Sequence, residues 1–162
     1  MKKMMILVVL GGLISLQLVL FQQKIVPLSP GSLLQNKLRK GLVKIGLPDP
    51  GKEIVQAVMT IGKNKGYSPE FLLVLAYSES SFKLNAISRA GYHGLYQIPQ
   101  RIKDPLKNAK VGMDIFDEKM KLAKGDYRQA LILYKGFRDN PKRGGMIADR
   151  VLAQTKRLKE VL

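Results

Sequence analysis

The chain has 162 residues, 46% of them apolar, enough for one domain with a real core plus an accessory segment. It contains no cysteine and one histidine, His93. Disulfide staples, thiolate metal sites and a lipid-modified cysteine are thereby excluded, and a Ser-His-Asp triad has only that single imidazole to draw on. The net charge of +16 divides into +6 over residues 1–50 and +10 over residues 51–162. A field of that sign favours polyanions: nucleic acid, anionic lipid or an acidic wall polymer.

Residues 1–24 read "MKKMMILVVLGGLISLQLVLFQQK". Met4 to Phe21 carries no charge, and about 27 Å of helix would just cross a bilayer core. A cleavable signal peptide wants small residues before the cut. The segment ends "LVLFQQK", so the expectation is one uncleaved transmembrane anchor, with residues 4–21 in lipid. Lysines and arginines flank it on both sides, which leaves its orientation open.

Residues 25–51 read as a basic linker, punctuated by Pro27, Pro30-Gly31 and Pro48-Asp49-Pro50-Gly51. Leu34, Leu38, Leu42 and Ile45 fall at helical spacing among Lys37, Arg39, Lys40 and Lys44. Either a short amphipathic helix on a membrane surface or a semi-ordered tether fits.

From residue 52 to 162 the pattern is mainly α. A helix is predicted near 52–63, with Ile54, Ala57, Val58 and Ile61 on one face. A second starts at Ser68-Pro69, an N-cap followed by proline in the first turn, and ends near Ser80. A third opens at Asp104-Pro105 and closes at Gly125, a fourth is capped by Asp126, and a last runs from about Gly145 to Val161. Residues 83–103 are irregular, with room for a short hairpin around Gly94.

Glu79 is the acid that stands out. It ends the helix containing the apolar row Phe71–Ala76 and is the one acid between Glu70 and Asp104. Glycosidases generally pair two carboxylates. Here Asp114, Asp117 and Glu118 share a lysine-rich helix and read as a solvated, ion-paired face, while Asp104 and Asp126 read as caps. Desolvation would keep a lone carboxyl protonated, as a general acid requires. A plain exposed glutamate at a helix end is the competing interpretation. His93 reads as an exposed loop residue.

Three ordered motifs, "ESSF" (Glu79–Phe82), "GLYQI" (Gly94–Ile98) and "ALILYKG" (Ala130–Gly136), resemble those of the soluble lytic transglycosylase (SLT) family, whose lysozyme-like domain cleaves peptidoglycan. The resemblance covers about residues 53–152. It implies a mainly α, lysozyme-like lytic transglycosylase domain, preceded here by the transmembrane helix. It implies Glu79 as catalytic acid/base, with Ser80 fixing the carboxyl and contacting substrate. Tyr96 and Gln97 would line the sugar groove, Asn108 would support the site, and Tyr134 would hydrogen-bond near Glu79. It implies cleavage of the MurNAc–GlcNAc bond with 1,6-anhydro-MurNAc formation, with no metal or cofactor. Tyr96 stands where that family has methionine, Lys135 where it has asparagine and Ile147 where it has tyrosine. With the anchor and basic charge, the expected setting is local wall penetration by a virus particle or a secretion or conjugation machine. The location would be an inner membrane facing the wall, or a virion membrane. The alternatives are a hydrolysing lysozyme of the same fold, or a catalytically degenerate structural protein that binds glycan, anionic lipid or DNA.

Overall fold

The structure, a computed structural model, describes residues 30–137 and 140–162. Six helices lie within them: α1 (Pro30–Lys44), α2 (Lys52–Lys65), α3 (Pro69–Ser80), α4 (Pro105–Leu122), α5 (Tyr127–Tyr134) and α6 (Pro141–Glu160). Leu34–Leu162 form one compact unit, and Pro30–Leu33 belong to another, Met1–Leu33. Among the described residues no helix is long and apolar enough to cross a membrane. The expected span Met4–Phe21 lies outside the described residues.

Helix α3 is the centre. Ser68 caps it by accepting the Phe71 N–H at 3.3 Å, and Pro69 occupies the first turn. Phe71, Leu72, Leu73, Val74, Leu75 and Ala76 are all buried. A helix apolar on every face must be surrounded, and α2 and α6 both pack against this one. At its N-terminal end Phe71 meets Phe116 of α4 and Tyr127 of α5, with ring centroids 5.4 and 5.2 Å apart. Aromatic pairs at this distance add a little beyond their area burial.

Four of the five acids expected to be structural are so. Asp104 accepts the Lys107 N–H at 2.7 Å and Asp126 that of Gln129 at 3.1 Å, each opening its helix. Asp114 of α4 pairs with Lys110 of its own helix and, at 2.7 Å, with Lys65 at the end of α2. Asp117 accepts the Tyr67 hydroxyl at 2.6 Å.

Of the two forms expected for residues 25–51, the short helix is the one present, as α1. Leu38 and Leu42 of α1 are fully buried, and Ile45 and Leu47 join the same core. Leu38, Leu42 and Ile45 of the apolar spacing therefore face protein, while Leu34 stays exposed. Two polar ties hold the turn after it. Arg39 donates to both oxygens of Asp49, at 2.8 and 2.6 Å, and Gln35 donates to the Lys52 carbonyl at 2.8 Å. Gly41 lets α1 approach the chain's end: a Cβ there would lie 2.9 Å from both Leu158 and Leu162.

Residues 83–103 hold two isolated antiparallel bridges, Ile87 with His93 and His93 with Ile98. These bridges correct the expectation for His93. Its backbone is tied on both sides, so the residue is half-buried rather than exposed, and its Nδ1 is enclosed.

Candidate active site

Glu79 is the penultimate residue of α3, and the helix stops abruptly behind it. Ser81 turns left-handed at φ 53° and returns its N–H to the Tyr77 carbonyl at 2.8 Å. Phe82 follows at φ 64°, an uncommon conformation for a bulky residue. Its ring is nevertheless buried and lies 5.6 Å from that of Tyr77, so packing holds the turn. The stop fixes Glu79 at the carbonyl end of a helix, where the backbone dipoles disfavour a negative charge.

The irregular segment is fastened beneath Glu79 by buried polar bonds. Ser80 Oγ donates to the Leu95 carbonyl at 2.9 Å and lies 3.2 Å from that of Ala76. Asn108 of α4 is fully buried. Its Oδ1 accepts the Tyr96 N–H at 2.9 Å and its Nδ2 donates to the Ile102 carbonyl at 3.1 Å. Tyr134 of α5 donates its hydroxyl to the Tyr96 carbonyl at 2.7 Å. Gln97 sits at φ 50° and donates to the Gly94 carbonyl at 2.9 Å. Gly94 itself has φ 74°, and a Cβ there would collide with the Asn108 amide.

These bonds alter two expectations. Tyr96 does not line the groove: it is fully buried, and its hydroxyl donates to the Leu72 carbonyl inside α3 at 2.9 Å. A phenol can enter a core when its one polar atom finds a partner, and here Leu72 provides it. Gly112 of α4 makes the room, since a Cβ there would lie 2.5 Å from the Tyr96 Cβ. Ser80 is likewise committed to backbone carbonyls, and its hydroxyl holds the loop rather than the Glu79 carboxyl.

Beside Glu79 opens a cleft of about 620 Å³. Glu79, Tyr92, Gln97, Lys119, Tyr134 and Lys135 contribute to its walls. Of the residues singled out by sequence, Glu79, Gln97 and Tyr134 thus meet at one cavity. Ser80, Tyr96 and Asn108 lie behind it as its support. Ile147 is half-buried on α6 and is not among the residues lining this cleft.

The residue whose role sequence reasoning missed is Lys135. It follows α5 directly, and its Nζ lies 2.6 Å from Glu79 Oε1 and 3.3 Å from the Ser78 carbonyl. The two side chains are 8% and 11% exposed, Lys135 and Glu79 respectively. Glu79 is therefore not a lone acid in an apolar setting. Burial pushes its pKa above the ordinary carboxylate value, and the adjoining ammonium pulls the other way without cancelling the rise. Burial and the neighbouring Glu79 charge hold the Tyr134 phenol well above its usual range, so it remains a neutral donor.

Glu79 thus holds its proton more strongly than an ordinary carboxyl, at the wall of a cavity in the size range of small-molecule sites. No curated protein and no solved structure matches the chain. The six-helix, mainly α architecture fits the lysozyme-like SLT fold. The family model described as the transglycosylase SLT domain matches residues 56–102, a span that includes Glu79 and Gln97.

Proposed function

We propose that the protein is a peptidoglycan lytic transglycosylase in which Glu79 acts as both acid and base. The observation that carries this reading is Glu79 itself, a desolvated carboxyl at the wall of a cleft within the matched span. Glu79 first gives its proton to the glycosidic oxygen, and the bond from that oxygen to C1 of N-acetylmuramic acid breaks. The oxygen of the sugar's own acetamido group shields the positive charge at C1. The Glu79 carboxylate then removes the proton from the C6 hydroxyl, whose oxygen bonds to C1. Glu79 regains its proton, no water is consumed, and the products are a 1,6-anhydro sugar and a free hydroxyl on the neighbouring N-acetylglucosamine. Asn108 and Tyr134 hold the segment that carries Gln97 to α4 and α5, and Ser80 ties it to α3, while this happens.

The test is product mass. Incubating the full chain with purified peptidoglycan should release 1,6-anhydro muropeptides, each one water lighter than a lysozyme product. Muropeptides with reducing ends and no anhydro species would assign hydrolysis instead.

One observation favours a second reading, a glycan- or polyanion-binding protein that has lost catalysis: Lys135 occupies the Glu79 carboxyl. Binding to peptidoglycan without release of any soluble fragment, at any pH, would select it.

The biological setting rests on the sequence. The uncharged run Met4–Phe21 supports a membrane anchor, and the net charge of +16 supports affinity for anionic wall polymer, lipid or DNA. A small anchored wall-cutter suits local penetration by a virus particle or a secretion or conjugation machine. Full-length protein should stay with lipid in 1 M salt, where the Debye length is ~3 Å and electrostatic attachment is screened. Release under those conditions would remove the anchor from this reading.

A further inference from the structure

The reaction proposed above needs Glu79 with its proton in the first step and without it in the second. Lys135 bears on both. Its ammonium is in direct contact with the carboxyl, and both side chains are shielded from bulk water. The contact is built into the fold. Lys135 closes α5 by returning its own N–H to the Leu131 carbonyl, and Leu131 is fully buried, so the lysine's base cannot drift. A second bond, to the Ser78 carbonyl, ties Nζ to the last turn of α3, the turn that carries Glu79.

The other ionisable groups around the carboxyl come from three elements. Tyr134 of α5 lies beside it and stays a neutral phenol. Lys119 of α4 and Tyr92 of the irregular segment line further parts of the cleft. The last turn of α3 adds the Ser78 carbonyl. Among the described residues, Lys135 is the cation paired with Glu79.

We propose that Lys135 is a positioning residue for Glu79: its ammonium orients the carboxyl in the resting cleft and sets the pH above which the cleft can no longer deliver a proton. The inference rests on the reading of Glu79 as acid and base. An opposite charge in contact favours the ionised carboxyl, while burial favours the protonated one. With Lys135 present, the proton is given up more readily and the remaining carboxylate has a counter-ion until it takes the C6 hydroxyl proton. Without Lys135, burial acts alone. Glu79 would then keep its proton to higher pH, and the second step would start from a stickier acid. The asparagine found at this position in the resembled family brings no charge, so this chain's pH window should be its own.

The test compares wild type with Lys135→Met, Lys135→Gln and Lys135→Arg, each as the full chain in detergent. Two quantities are followed against pH. One is kcat/KM for release of soluble fragments from peptidoglycan. The other is the ¹³C shift of the Glu79 carboxyl carbon, assigned by its disappearance in Glu79→Gln. In Met and Gln, the alkaline limb of the rate profile and the Glu79 midpoint should both move up, by about 1–3 pH units. The Arg variant, which keeps the charge, should stay near wild type in both. Unmoved midpoints in Met and Gln would overturn the proposal. Should Met not fold, Gln decides, and failure of both to fold would make Lys135 a structural residue and also overturn it. If wild type releases nothing at any pH, the reading of Glu79 as catalyst fails. The carbon titration then still decides whether Lys135 governs its ionisation.

Discussion

Glu79→Gln should lower the rate of peptidoglycan cleavage by about 10²–10⁴-fold, the range that a general acid–base group supplies. Glutamine has nearly the same volume, but its effect on stability is not neutral. It leaves the Lys135 ammonium, 8% exposed, facing an amide in place of a counter-ion. Removing one partner of a buried pair costs about 3–5 kcal/mol, and the lower end applies here because the Ser78 carbonyl still accepts a bond from the ammonium. The amide oxygen can still accept one bond from Nζ. Urea unfolding should therefore show a clear loss for Glu79→Gln and a partial recovery for Glu79→Gln/Lys135→Met. Both variants should show the same loss of cleavage rate. Cleavage by Glu79→Gln at a rate near wild type would remove Glu79 from the chemistry. The pH dependence has a definite sign. Glu79 titrates above its ordinary 4.5 in the folded protein, so the native state holds its proton longer than the unfolded chain. Its contribution is complete below 4.5 and is lost as pH rises through the folded value. The glutamine variant should lack that loss.

Asn108→Leu should be the most damaging single change away from Glu79. Leucine has the same branched shape, in a bulkier form, but offers no polar atom. The Tyr96 N–H and the Ile102 carbonyl would both lose their bonds to Asn108, in a site that is fully buried. The longer contact to the His93 carbonyl, at 3.5 Å, adds little. Each buried group left unpaired costs about 1–3 kcal/mol, so the loss should reach about 2–6 kcal/mol. Urea melts measure it directly, and a loss below about 1 kcal/mol would mean that the loop finds other partners. Activity should fall as well, because the strand of chain that carries Gln97 is held by the same bonds.

The helices were readable because their ends are chemically marked. Ser68-Pro69, Asp104-Pro105 and Asp126 each announce a first turn, and each is found capping one. Packing partners were harder. Helix α1 carries four cations, a pattern that fits a membrane-surface helix or a tether as well as a packed one. Its Gly41 is the point of close approach to Leu158 and Leu162, a fact fixed by the far end of the chain. Tyr96 was placed at the groove by its position in a motif. Its true direction depends on Leu72 and Gly112, twenty-four residues earlier and sixteen later, which no local pattern reveals. The pairing of Lys135 with Glu79 spans fifty-six residues and two helices. A lysine after a helix end carries no mark of which carboxyl it will meet.

The contact of Gly41 with Leu158 and Leu162 has a consequence for how the molecule comes together. Leu158 near the end of α6 and Leu162 just beyond it press on the backbone of α1 at Gly41, so this part of the core forms only when residues far apart in sequence have met. Closing so long a loop is entropically costly, though the cost grows only slowly with length. Contacts this distant in sequence make assembly late and slow compared with a bundle of neighbouring helices. Amides in α1 should accordingly exchange with solvent hydrogen as slowly as those in α6, and both should open in the same cooperative event.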